Sequence, residues 1–253
     1  MPYEAALAIA TMILVGTFVG MVALISRRRR QAKEDDMARE AASRGWQFDS
    51  RFEHGERIRR WRGTTDGISW VTESVSSAKG GNHPDRRRQT SRWHGAFNPG
   101  IGKPIVMIGV PPGKETPAFS VAEGDGVIAK LAQKAAGFAL DKGIKTCFGA
   151  DAAAEVSTDA LHHVTQPVTP GYIVMAGDAD EAARVLAEGF GRGIQADVAD
   201  ASSLLGADDR PWILLRPNSI SVARMEPIRG AHDIEAFVRT GTGLCGGFPF
   251  GRR

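Results

Sequence analysis

His162 and His163 are adjacent imidazoles with Asp159 three residues before them, the residue types from which a metal site is built. Neighbours on a strand point to opposite faces, so the pair cannot chelate one ion and reads as a polar strand edge. Asp178, Asp180 and Glu181 form an acidic cluster. Asp178 standing just before an alanine-rich run, with Glu181 three residues on, reads as a helix N-cap rather than a metal set. Gly241-Thr242-Gly243-Leu244-Cys245-Gly246 spells GxGxxG, but no strand leads into it and too few residues follow for the helix that would hold a pyrophosphate. Gly109 to Thr116 is one residue short of a phosphate-binding loop, puts Glu115 where magnesium would be held, and contains two prolines that remove amide donors. Cys147 and Cys245 form no CxxC, no zinc spacing and no disulfide framework, and no GxSxG is present. The sequence therefore names no catalytic residue, no cofactor-binding residue and no metal ligand.

One segment points to recognition. Lys79-Gly80-Gly81-Asn82-His83-Pro84-Asp85-Arg86-Arg87-Arg88 is glycine-hinged, joins two strands and ends in three arginines. Lys79, Arg86, Arg87 and Arg88 read either as part of a solvated hairpin loop or as candidate contacts for anionic lipid headgroups or an acidic partner. Charge is uneven along the chain. Residues 1–100 carry 17 Lys/Arg against 11 Asp/Glu, and residues 101–253 carry 15 against 18. The stripes of basic and aromatic residues that mark RNA-binding modules are missing, which argues against nucleic acid.

Ala5 to Ser26 is a run of 22 residues without a charge, followed directly by Arg27-Arg28-Arg29-Arg30. At about 1.5 Å per helical residue it would reach about 33 Å, the thickness of a hydrocarbon core. The sequence thus predicts a single-pass transmembrane helix in a bacterial inner membrane. Arg27 to Arg30 would hold the C-terminal domain in the cytoplasm by the positive-inside rule, with the N-terminus outside and both cysteines reduced. Gly16 and Gly20 make a GxxxG pair, a candidate helix–helix contact through which two copies could pair.

Behind this segment, residues 31–44 read as a helical stalk that Gly45 stops. Arg60 to Thr65, Asp66-Gly67 and Ile68 to Val75 read as a β-hairpin with a type I′ turn. Strands over Gln89–Phe97 and Lys103–Val110 would extend it into an antiparallel meander. Trp61, Trp70 and Trp93 are expected to share one buried sheet face. A helix is predicted over Gly124–Leu140, with Val127, Ile128, Leu131, Ala135 and Phe138 at helical spacing. A strand at Tyr172–Ala176, a helix after Asp178, a hairpin from Trp212 to Met225 and a helix over His232–Arg239 complete the reading. The expected organisation is a transmembrane anchor with basic flank (1–30), the stalk (31–44), a cytoplasmic α+β domain (45–240) and a flexible glycine-rich tail (241–253). The fold class is α+β, a mainly antiparallel sheet with helices packed on one face.

The N-terminal span and basic flank, Gly45-Trp46-Gln47-Phe48, Gly63 to Trp70 and Tyr172 to Ala182 together resemble uncharacterised bacterial single-pass membrane proteins with a cytoplasmic α+β domain. That resemblance implies no activity, cofactor or site residue. The function expected is a non-catalytic interaction module for a protein partner or an anionic membrane surface, with a membrane-tethered enzyme as the alternative. Membrane lipid and a protein partner or second copy are the expected partners.

Overall fold

A computed structural model of the chain describes residues 2–53, 55–77, 89–110, 127–164, 171–187 and 210–248. Two compact units divide it, residues 1–48 and 49–253. The first is built on helix α1, Pro2–Ser43. It ends as expected, with Gly45 at φ 72° and Trp46 N–H donating to the carbonyl of Ala41. Stalk and apolar segment are one continuous helix, and Arg27 to Arg30 are exposed within it.

Among the described residues no helix is long and apolar enough to cross a membrane. This corrects the single-pass inner-membrane placement, and with it the topological role assigned to Arg27, Arg28, Arg29 and Arg30.

The second unit is organised by one nine-stranded sheet. Its strands are β1 (Gln47–Glu53), β2 (Glu56–Thr65), β3 (Ile68–Ser77), β4 (Gln89–Ala96), β5 (Ile105–Gly109), β6 (His162–His163), β7 (Tyr172–Ala176), β8 (Trp212–Arg216) and β9 (Ser219–Arg224), in the order β1-β2-β3-β4-β9-β8-β5-β7-β6. The β2–β3 turn carries Asp66 at φ 53° and Gly67 at φ 79°, the left-handed pair a type I′ turn needs, and it sets Thr65 opposite Ile68 and Arg60 opposite Glu73. The expected meander holds only through β4. The next neighbour of β4 is β9, and β5 is carried across to lie between β8 and β7.

Among the described residues four α-helices accompany the sheet: α2 (Val127–Phe148), α3 (Ala150–Glu155), α4 (Ala179–Val185) and α5 (Ala231–Gly246). They do not share one face. Leu140, Ile144, Cys147 and Phe148 of α2, with Ala152 of α3, pack on Val106, Met175, Leu214 and Ala223. Helix α5 lies against β3, β4 and β9 on the other face, where Trp61, Trp70 and Trp93 are all buried as expected. The reason both faces need cover is visible in β8 and β9. Ile213, Leu214, Leu215, Ile220, Val222 and Ala223 are buried without alternation, so neither face can be left to water. On α2 the buried stripe runs through Leu140, Ile144 and Cys147, while Phe138, two positions off that stripe, is 71% exposed rather than in the core.

Glycine sets the approach of helix to sheet on each side. A Cβ on Gly241 of α5 would sit 2.4 Å from the Trp93 indole, and one on Gly143 of α2 would sit 2.4 Å from Trp212. Gly95, on the same strand as Trp93, lies under that indole from the sheet side, its Cβ position 2.3 Å from Cη2. The segment read as a flexible tail from 241 is therefore helical as far as Gly246, with Gly241, Leu244 and Cys245 buried, and Phe248 beyond it is buried. Residues 249–253 lie outside the described residues.

Candidate functional site

Lys79, Arg86, Arg87 and Arg88, the contact residues expected from sequence, lie outside the described residues. Gly16 and Gly20 are exposed on α1 with open space where a Cβ would be. His162 and His163 do form a strand, β6, paired to β7, and both are exposed. Among the described residues no group of three or more His, Cys, Asp or Glu could hold a metal ion.

The acidic cluster has a structural role. Asp178 caps α4, its Oδ1 accepting from Glu181 N–H at 3.0 Å. Glu181 turns away from the cap, and its carboxylate accepts from the backbone N–H groups of Gly102 (3.0 and 3.2 Å) and Lys103 (3.4 Å). Both cysteines are buried thiols outside any disulfide, and burial pushes the Cys245 thiol up to about 12, which leaves it unreactive near neutrality.

The concentration of chemistry-bearing side chains lies on the sheet face that α2 and α3 cover. Register lines up Arg60, Glu73, Arg92 and Ala223 across four strands, and one step along it lines up Arg62, Val71, His94 and Ser221. Opposed residues of a ladder share a face, so three charges stand in a row. Glu73 is the centre. Arg60 Nε and Nη2 both donate to its Oε1 at 2.5 Å, and Arg92 Nε and Nη2 both reach its Oε2 at 2.5 Å. The Glu73 side chain is only 9% exposed, against 20% for Arg60 and 23% for Arg92. Burial pushes the carboxyl up, but the charges of Arg92 and Arg60 and their hydrogen bonds outweigh it, and the net displacement is downward. Glu73 is thus an ionised, fully occupied acceptor, unsuited to taking a substrate proton.

His94 continues the network. Its Nδ1 lies 3.0 Å from Ser221 Oγ and 3.3 Å from Arg216 Nη2, and Arg216 Nη1 in turn donates to Glu155 of α3. A guanidinium only donates, so Nδ1 is the accepting nitrogen and the ring proton sits on Nε2. Burial lowers the affinity of His94 for a second proton, and the neighbouring Arg216 charge lowers it further. The junction of α2 and α3 closes over the row. Gly149 stands at φ 97°, and a Cβ there would fall 2.4 Å from Arg92 Nη1. Beyond it the face opens: Arg62 and Thr64 are exposed and Arg60 half-buried.

The arrangement is four arginines (Arg60, Arg62, Arg92, Arg216) against two carboxylates (Glu73, Glu155), an excess of positive charge on a half-open sheet surface. None of these residues was assigned a functional role from sequence; Arg60, Arg62 and Glu73 entered only as positions of the hairpin. The signal for the first pair was present, because the Asp66-Gly67 turn fixes Arg60 against Glu73. Arg92 and Ser221 depend on long-range register that no local pattern reports. Comparison of the chain with protein families, curated proteins and solved structures finds no match.

Proposed function

We propose that residues 49–253 form a non-catalytic interaction module that binds an acidic segment of a protein partner on the half-open face of β2, β3 and β4. The observation that supports this is the shared carboxylate: Glu73 pins Arg60 and Arg92 in place while neutralising only one of them. Guanidiniums fixed in this way lose little freedom on meeting a second carboxylate, and their planar donor edges suit bidentate contact. Exposed Arg62 extends the surface beyond the row. The experiment is fluorescence anisotropy of a labelled oligo-glutamate peptide against the full chain over a salt series. Saturable binding that weakens with salt, and weakens at least fivefold on Arg62→Glu, supports the reading; indifference to that substitution contradicts it.

A second reading, catalysis, is favoured by the Ser221–His94 contact, because a neutral imidazole accepting from a hydroxyl is how a serine nucleophile is activated. Against it, Ser221 is 5% exposed in the middle of β9, where a substrate carbonyl has no approach. Labelling of Ser221 by a fluorophosphonate would decide for catalysis.

A further inference from the structure

Strand β1 closes one end of the sheet; it pairs with β2 on its inner side and, among the described residues, has no strand on its outer side. Edge strands of this kind accept further strands unless charge, proline or a bulge prevents it. The seven residues of β1, Gln47-Phe48-Asp49-Ser50-Arg51-Phe52-Glu53, contain no proline, and Phe52 is 65% exposed. Their charges are ordered about a centre. Turned antiparallel on a second copy of itself about Ser50, the strand sets Asp49 opposite Arg51 twice, Phe48 opposite Phe52 twice and Gln47 opposite Glu53 twice. Moving the centre to Arg51 would place arginine on arginine and Asp49 on Glu53, and moving it to Asp49 would place aspartate on aspartate. A shift of one residue in the pairing would set charges against phenylalanines, and a parallel in-register pairing would stack every like charge. Opposite charges across a ladder attract and like charges repel, so the sequence of β1 selects a single antiparallel register.

We infer that the outer edge of β1 is a homodimer contact, in which a second copy of this chain adds its own β1 antiparallel about Ser50 and joins the two sheets into one. The contact is isologous, as a two-fold dimer requires. One strand pair is less surface than a permanent dimer buries, so the association is a reversible, concentration-dependent one. Within a copy, Arg51 and Glu53 lie 3.2 Å apart at 40% and 42% side-chain exposure. In the dimer Arg51 exchanges or shares that partner for the opposing Asp49.

The test is sedimentation equilibrium of the full chain over a wide concentration range, comparing wild type with Asp49→Arg, Arg51→Asp and the double variant carrying both. Each single change turns two attractive cross-dimer pairs into repulsive ones and is expected to weaken dimerisation about tenfold or more. The double variant keeps opposite charges in the same register and is expected to regain the wild-type dissociation constant. Circular dichroism on each variant confirms that the sheet is retained. A chain that stays monomeric throughout, single variants that associate like wild type, or a double variant that fails to recover would each overturn the inference. Association insensitive to all three changes would place the contact elsewhere, α1 with its Gly16 and Gly20 included.

Discussion

Replacing Glu73 by glutamine keeps the shape of the side chain and removes its charge, leaving Arg60 and Arg92 facing each other without a counter-ion. Glu73 receives four charge-assisted contacts, two from each guanidinium, at 9% exposure. Removing one partner of a buried ion pair costs about 3–5 kcal/mol because the remaining charge stays desolvated. Arg60 and Arg92 keep 20% and 23% of their side-chain surface in water, so the lower end applies, about 3 kcal/mol. With a urea dependence near 2 kcal/mol per molar, the unfolding midpoint of Glu73→Gln should fall by about 1.5 M at pH 7. The loss must also carry a pH signature. A carboxyl whose folded value is held below its unfolded 4.5 stabilises the fold above that value, and the contribution disappears as pH falls through the folded value. Wild type and Glu73→Gln should therefore converge as pH is lowered below 4.5 and diverge above it. Urea titrations followed by far-ultraviolet circular dichroism at pH 3 and pH 7 read both effects. A midpoint shift under about 0.3 M at pH 7, or a difference that does not shrink in acid, would refute the reasoning that the triplet is an interdependent charged unit.

Three further outcomes follow from the packing and from the charged row. Gly241→Ala forces a methyl into the fully buried Trp93 ring, which Gly95 backs from the other side, and should cost about 1–3 kcal/mol despite a helix-propensity gain of about 1 kcal/mol. Gly143→Ala meets Trp212, which is half-buried and can yield, so its thermal midpoint should fall by clearly less than that of Gly241→Ala; the reverse order in a calorimetric scan would contradict the packing described. His94 should titrate below 6.5 by nitrogen-detected NMR with its proton on Nε2, and Arg216→Gln should move the midpoint upward. Because its folded value is depressed, the stability it contributes is present above 6.5 and is lost as pH falls from 6.5 through the folded value; a midpoint at or above 6.5 would be inconsistent with the network.

Local chemistry was legible wherever one short segment decided the outcome. Asp66-Gly67 dictated its turn, Asp178 its cap, and the three tryptophans their common face, because each follows from backbone geometry or two-residue alternation. The sheet order was not legible. Placing β9 beside β4 requires Trp93 to find Val222, a pairing 129 residues apart in sequence that burial rather than local preference selects. The glycine-rich end was misread for a related reason. Glycine favours chain freedom when considered locally, but Gly241 faces Trp93, and close helix–sheet contact rewards the absence of a side chain. The charged row combines both cases: Arg60 against Glu73 is local, whereas Arg92, His94 and Arg216 join only when β4, β9 and β8 assemble. The apolar run at the N-terminus carried a strong local signal for a membrane span that the described helix does not support.

The most direct test of the acidic-partner reading is hydrogen–deuterium exchange of the full chain with and without a saturating oligo-glutamate peptide. The account predicts added protection concentrated in β2, β3 and β4, at Ile58–Thr64 and Ser91–His94, and lost in Arg62→Glu. Protection confined to another part of the fold, or none at saturation, would contradict it.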